Sequence, residues 1–143
     1  MKKMVLAAML LALLSACQTE NTYCPNTQET IDTLEEINNI LIDFGEEAGS
    51  NEDMTPDEVE GPLARLGEFK RQAFELVVPG CLEAPKDYLI KAINAYMTGL
   101  EKFGNDPYDA SVEDDMNASL EYINQVNNEY LKFNDCFPDC FPE

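Results

Sequence analysis

The chain has 143 residues and a formal net charge of −19, from 9 Lys and Arg against 28 Asp and Glu. This length and a hydrophobic content of 45% suit one domain with a buried core. The sequence contains no His, which excludes imidazole catalysis, His metal ligands and a His-activated nucleophile. The acidic excess argues against nucleic acid as a partner, because neutralising phosphates requires clustered Lys and Arg.

The first residues have the pattern of a secretory signal peptide. Lys2 and Lys3 provide a positive start, and an apolar run follows from Met4 to Leu14. This run is too short to span the roughly 30 Å of a bilayer core. A basic start, an apolar centre and small residues before a cut are typical of secretion signals. We therefore expect residues 1–16 to be removed from the mature protein.

The apolar run ends in Leu14-Ser15-Ala16-Cys17. This segment resembles the lipobox of bacterial lipoproteins, an aliphatic residue and two small residues before a Cys. The resemblance covers the first 17 residues and implies cleavage between Ala16 and Cys17. It also implies a diacylglycerol on the Cys17 sulfur and usually an acyl chain, such as palmitate, on its amine. The alternative is an ordinary cleaved signal peptide with Cys17 as a disulfide partner.

A lipid on Cys17 implies attachment to a membrane of the bacterial cell envelope, since each buried CH₂ contributes about 0.8 kcal/mol. In lipoproteins of bacteria with two membranes, a residue other than Asp after the lipidated Cys usually permits export to the outer membrane. The residue here is Gln18. We expect the periplasmic side of the outer membrane in such a bacterium, and otherwise the outer face of the cytoplasmic membrane.

A first helix is predicted after a polar tether at residues 17–26. It extends from about Thr27 to Ala48, and Gly45 and Gly49-Ser50-Asn51 indicate its end. Its apolar residues recur at spacings of three and four and define one helical face: Ile31, Leu34, Ile37, Leu41 and Phe44.

The second helix is predicted to have a divided start. Thr55-Pro56-Asp57-Glu58 combines an N-cap residue, Pro at the first helical position and Glu three residues after the cap. Gly61-Pro62 follows at once, and Pro lacks an N–H for the helix interior. We expect a turn at 56–60 and a main helix from Pro62 to Pro79-Gly80. Its predicted buried residues are Leu63, Leu66, Phe69, Ala73, Leu76 and Val77.

Two more helices are predicted from Ala84-Pro85 and from Ser111, separated by a break at 104–107. The third has a coiled-coil-like stripe of Leu89, Ile93, Tyr96, Leu100 and Phe103. The fourth has the stripe Val112, Met116, Ser119, Ile123, Val126, Tyr130 and Phe133, and it is expected to end at Asn134 before a Cys-containing tail.

The predicted fold class is all-α. Four amphipathic helices with short connections favour an antiparallel up-down four-helix bundle over residues 27–143. The alternative is a looser three-helix packing with the Pro62 helix lying across the others. In the bundle, the connections at 45–61 and 104–110 lie at the end away from the membrane.

The remaining cysteines are Cys24, Cys81, Cys136 and Cys140, and the bundle topology brings them together at the membrane-proximal end. An even number in an oxidising compartment predicts disulfides. Three connectivities exist; we favour one bond between Cys81 and the C-terminal tail and another that includes Cys24. Pairing of Cys136 with Cys140 is the local alternative. No Cys-x-x-Cys and no His accompany them, so neither a redox nor a metal site is expected.

Acidic residues concentrate in the two distal segments, Asp43–Glu60 and Asp106–Asp115. They do not follow the twelve-residue EF-hand pattern, which leaves solvated loops and helix N-terminal acids as the main interpretation. Ser50, Ser111 and Ser119 have no base beside them, and Tyr96, Tyr122 and Tyr130 are typical of a core rim. We expect no catalysis and no cofactor.

The sequence therefore predicts a small acidic lipoprotein of the cell envelope with a structural, interaction or accessory role. Its predicted partners are the membrane, through the N-terminal lipid, and an envelope protein. The alternative is a ligand-binding module that takes weakly held divalent cations or a small molecule.

Overall fold

A computed structural model describes the backbone of residues 28–51 and 53–140, and the side chains of 29, 30, 32–51 and 53–131. It contains four helices: α1 (Gln28–Ser50), α2 (Glu60–Glu75), α3 (Glu83–Asn105) and α4 (Ser111–Cys140). Short 3₁₀ turns occur at Pro56–Glu58 and Gly80–Leu82. No strand is present in these residues, so the all-α prediction is confirmed. The predicted signal peptide and tether lie outside the described residues.

Helix α1 continues through Gly45, which the sequence had indicated as part of its end. A Gly within a helix costs only about 1 kcal/mol relative to Ala, and packing on both sides of it outweighs that cost. Phe44 is fully buried immediately before Gly45, and Ala48 packs against the core after it. The helix ends at Ser50, whose Oγ donates to the Glu47 carbonyl at 2.8 Å.

The predicted cap before α2 is confirmed in the 3₁₀ turn. The backbone N–H of Thr55 donates to Glu58 Oε2 at 2.8 Å, and its hydroxyl donates to the same oxygen at 2.6 Å. Helix α2 then begins at Glu60, two residues before the expected start at Pro62. Pro62 fits because the first helical N–H groups have no acceptor within the helix.

The prediction that Val77 belongs to the buried stripe of α2 was wrong. The helix ends at Glu75, residues 76–79 are non-helical, and Val77 is 88% exposed. The physical reason lies in Val77-Val78-Pro79, since β-branched residues favour extended backbone and Pro disfavours the helical conformation of the residue before it.

In the described part of the chain, helices α3 and α4 contact each other more extensively than any other two helices do. Helix α4 begins at Ser111 as expected, but it ends at Cys140, beyond the predicted Asn134. Asp109 Oδ1 accepts from the backbone N–H and the hydroxyl of Ser111, each at 2.8 Å, and so fixes the start of α4.

The core is built around α3, which contacts α1, α2 and α4. Adjacent helices run antiparallel where the contacts define direction. The turn before α2 approaches the end of α3 at Gly104, and the end of α2 meets the start of α3 at Lys86. The buried apolar side chains are Ile37, Ile40, Phe44, Leu66, Ala73, Leu82, Leu89, Ala92, Ile93, Leu100 and Val126.

Candidate functional site

The cysteines predicted as site residues are only partly within the described structure. Cys81 lies in the 3₁₀ turn between α2 and α3, and its half-buried side chain packs against the core. Cys136 and Cys140 have helical backbone in α4, while their side chains lie outside the described set. Ala16, Cys17 and Cys24 lie outside the described residues altogether. The disulfide pairing therefore stays a prediction.

Around Cys81, one Lys organises the junction of α2 with α3. Lys86 Nζ donates to the carbonyl of Leu76 at 2.6 Å and to that of Phe74 at 3.0 Å. These carbonyls belong to the end of α2, where backbone acceptors lack helical partners and the helix dipole favours a cation. The α2–α3 junction is therefore fixed by a charged hydrogen bond as well as by the buried Leu82.

An open depression lies at the same junction. It is lined by Phe74, Glu75, Leu76, Val77, Val78, Glu83, Lys86 and Asp87. Phe74 is 71% exposed and Val77 is 88% exposed, whereas Leu76 and Val78 pack partly against the core. The junction thus presents two apolar side chains to solvent on a backbone that Lys86 holds in place, with carboxylates beside them.

At the opposite end of α2, some of the acidic residues form ion pairs. Arg65 Nη2 donates to Glu47 Oε1 at 2.7 Å, and its Nε donates to the other carboxylate oxygen at 2.5 Å. The Glu47 side chain is 10% exposed. The hydrogen bond from Arg65 is the main cause that lowers the pKa of Glu47 below its ordinary value, against the opposing effect of burial.

Other acids of this end act at helix starts or pair across helices. The hydrogen bond from the Ser111 backbone lowers the pKa of Asp109, and the hydroxyl of Thr55 lowers that of Glu58. Lys102 Nζ of α3 lies 2.6 Å from Asp115 Oδ2 of α4. These contacts agree with the interpretation of the acids as structural groups. Glu52 lies outside the described residues.

Among the residues that the structure describes, no three carboxylates or cysteines are grouped closely enough to hold a metal ion. The predicted alternative of a divalent-cation site therefore has no geometric support within that part of the chain.

The Ser and Tyr residues considered in the sequence have structural contacts. The buried hydroxyl of Ser119 in α4 donates to the Ala92 carbonyl in α3 at 2.9 Å. Tyr96 donates to the Ala48 carbonyl at 3.1 Å and packs edge-on against Phe44. Tyr122 stacks on Tyr88 between α4 and α3. Tyr130 is half-buried, and burial raises its pKa.

Sequence patterns missed the α2–α3 junction as a surface. Val77 was assigned to the core, and no role was predicted for Lys86. The signal that could have shown the exposed segment is Val77-Val78-Pro79, which disfavours continued helix. The sequence does not predict that Lys86 donates to carbonyls at the end of the preceding helix, because that contact depends on the angle between α2 and α3.

Comparison with protein-family models, with curated proteins and with solved structures finds no match to this chain. None of the helices in the described part of the chain is both long enough and apolar enough to cross a membrane.

Proposed function

We propose that the protein is a small acidic lipoprotein of the bacterial cell envelope, anchored by lipid on Cys17, with a structural, interaction or accessory role. The observation that carries the proposal is Leu14-Ser15-Ala16-Cys17 placed after two Lys residues and an apolar run. The order of residues and their position both match a lipobox. The apolar run supplies export, and the acyl chains supply attachment.

The body of the proposed lipoprotein is an antiparallel up-down bundle crosslinked at its membrane-proximal end. The antiparallel contacts of α2 with α3 and of α3 with α4 support this arrangement. Cys81 lies at the α2–α3 junction, which an up-down bundle places at the same end as the start of α1 and the end of α4. Each long-range disulfide would contribute about 2–4 kcal/mol by restricting the unfolded chain.

Lipidation is tested by expressing the full chain in a bacterial host fed an alkyne-labelled fatty acid. We expect label on the wild-type protein and an intact mass that corresponds to cleavage before Cys17 plus its acyl groups. The variant Cys17→Ser should lose both the label and the cleavage, while the control Cys24→Ser should retain them. An unmodified Cys17 thiol in the mature protein would overturn the proposal.

The crosslinks are tested by non-reducing peptide mapping after cleavage before Asp residues. Cleavage before Asp32, Asp87, Asp135 and Asp139 separates all four cysteines into different peptides. We expect one linked pair that joins Cys81 to Cys136 or Cys140, and a second that includes Cys24. A bond between Cys136 and Cys140 would contradict the pairing, because it would leave neither cysteine of the tail for Cys81.

The outer membrane is the proposed destination in a bacterium with two membranes, because Gln18 follows Cys17. Separation of inner and outer membranes on a density gradient tests this placement, with Gln18→Asp as the matched variant. We expect the wild-type protein in the outer-membrane fraction and the variant in the inner-membrane fraction. The same distribution for both proteins would contradict the role of Gln18.

A further inference from the structure

The exposed apolar residues of the α2–α3 junction form a patch on a fixed support. We call Phe74 and Val77 the junction patch, since these two side chains are strongly exposed and only three residues apart. The carbonyls of Phe74 and Leu76 accept from Lys86, and the Leu82 N–H donates to the Pro79 carbonyl at 2.8 Å. Because the backbone is already held, covering the patch requires little further ordering.

The junction patch lies at the end of the molecule where α1 begins. The end of α1 contacts the first half of α2 through Glu47 and Arg65, and the second half of α3 through Ala48 and Tyr96. The chain then continues to Pro56, which lies beside Gly104 at the far end of α3. Helix α1 therefore points away from the junction, and its first residue, Gln28, lies towards it.

The length of chain before α1 limits how far the proposed anchor can lie from the start of α1. Cys17 precedes Gln28 by eleven positions, so even a fully extended segment reaches at most about 40 Å. The segment is thus long enough for a bilayer that holds the anchor to contact the junction end of the body. A bilayer that holds the acyl chains is therefore an apolar surface within reach of Phe74 and Val77.

The charges around the junction patch indicate which kind of membrane surface it can contact. Glu75, Glu83 and Asp87 line the same depression, and Lys86 is already bonded to two carbonyls. An anionic surface would be repelled, whereas the ammonium groups of zwitterionic headgroups can lie beside these carboxylates. We propose that Phe74 and Val77 insert between zwitterionic lipid headgroups of the membrane that carries the anchor. The proposal rests on the lipid anchor proposed above.

The absence of Trp from the chain provides a direct test. The variant Phe74→Trp places a single fluorophore in the junction patch, and Tyr108→Trp places one in the α3–α4 connection, where Tyr108 is 93% exposed. The lipidated proteins are incorporated into phosphatidylcholine vesicles with or without bromine at a shallow acyl position. We expect about twofold lower emission with brominated lipid for Phe74→Trp, and unchanged emission for Tyr108→Trp.

A second arm separates the patch from the anchor. The same mature proteins carry Cys17→Ser and an N-terminal hexahistidine, and nickel-chelating lipids hold them on the vesicles. Quenching confined to Phe74→Trp in this arm supports the patch even if Cys17 proves to be unmodified in cells. Equal emission with plain and brominated lipid in both arms would overturn the patch while leaving the anchor intact.

Two further measurements vary the charge of the vesicle surface and the density of protein on it. Replacing part of the phosphatidylcholine with phosphatidylglycerol should weaken the quenching of Phe74→Trp at low salt, and added NaCl should restore it. Adding Val77→Asp should also weaken it. A blue shift of Phe74→Trp that depends on protein density and not on bromine would overturn the proposal in favour of contact between copies of the protein.

Discussion

Gly104 is the next-to-last residue of α3 and lies against the turn before α2. A methyl group there would be 2.7 Å from Val59 Cγ2 and 3.5 Å from the Pro56 carbonyl oxygen. The β-branched Val59 has few alternative rotamers, so it cannot move aside easily. We expect Gly104→Ala to lower the free energy of unfolding by about 1–2 kcal/mol, as measured by urea denaturation.

Gly45 provides the matched control for Gly104→Ala. It lies within α1, and nothing would lie within 4 Å of an added methyl group. Gly45→Ala should therefore raise the free energy of unfolding by up to about 1 kcal/mol through helix propensity. Val59→Ala removes the side chain that a methyl group at position 104 would meet. In that background, Gly104→Ala should no longer lower the free energy of unfolding. Equal gains at Gly45 and Gly104 would contradict the close approach.

The Glu47–Arg65 pair makes stability depend on pH in a defined direction. Arg65 lowers the pKa of Glu47 below its ordinary value of 4.5. At pH values above 4.5, the pair therefore makes its full contribution to the free energy of unfolding. Its contribution is lost as the pH falls through the lower pKa of the folded state. We expect Glu47→Gln to reduce the free energy of unfolding at pH 7, and the difference from wild type to shrink below about pH 4.5.

Glu75→Gln is the control for that pH dependence. Glu75 pairs with Arg71 within one helix, and its side chain is 60% exposed. Exposed pairs contribute little, so this variant should change stability less than Glu47→Gln at pH 7. A loss at Glu47→Gln that stays constant from pH 7 to pH 3 would show that the carboxylate charge is not the cause.

At the scale of the element, the end of α2 depends on a residue of the next helix. Lys86→Met keeps the methylene stem and removes the donor to the Phe74 and Leu76 carbonyls. We expect a loss of about 1–2 kcal/mol in the free energy of unfolding, since a charged hydrogen bond is removed. Hydrogen exchange should also become faster at residues 72–78, the end of α2 and the segment after it, and should change less in the rest of α2.

Lys91→Met, five residues further along α3, is the control for Lys86→Met. Lys91 lies over the Tyr88 ring with 5.1 Å between Nζ and the ring centroid. An exposed cation–π contact contributes about 0.5–1 kcal/mol, and its loss should not change exchange at the end of α2. Equal exchange in the two variants would remove the proposed role of Lys86 at the junction.

The elements could be predicted where a local signal sets the boundary. Thr55 and Glu58 are only three residues apart, and their hydrogen bonds were predicted directly from the sequence. The start at Ser111 was predicted from Asp114, three residues on, whereas the hydrogen bonds that fix it come from Asp109, two residues before it. The end of α2 was misplaced because the apolar spacing continues to Val77 after the backbone has left the helix. Gly45 was counted among the residues that end α1, but burial of Phe44, a tertiary effect, keeps the helix intact through it.

At the scale of the whole molecule, the apolar stripes predicted an all-α fold but not the central position of α3. A stripe shows that a helix buries one face and does not identify the helix that covers it. The contacts that set the arrangement join distant residues, such as Tyr96 with Ala48 and Ser119 with Ala92. The proposed lipobox at residues 14–17 is the opposite case, because it was predicted from neighbouring residues alone and does not depend on the fold.

The net charge of −19 makes the whole molecule respond to salt. The chain has 28 acidic and 9 basic residues. Repulsion between the acidic residues therefore outweighs the attraction in the ion pairs, which salt would weaken. We expect the midpoint of thermal unfolding to rise by roughly 3–6 °C between low salt and about 0.5 M NaCl, which corresponds to about 1 kcal/mol. An equal osmolality of glycerol distinguishes screening from the effect of a cosolute.

Variants of α1 locate the origin of the salt response. Asp43 and Glu46 are exposed in the second half of α1, and no basic residue is present in the final turn of this helix. Asp43→Asn with Glu46→Gln should raise the low-salt midpoint and reduce its dependence on NaCl. Glu29→Gln removes the same kind of charge from the first turn, where the helix dipole favours it, and should raise the midpoint less or lower it. If salt lowered the midpoint of the wild-type protein, the ion pairs would outweigh the repulsion.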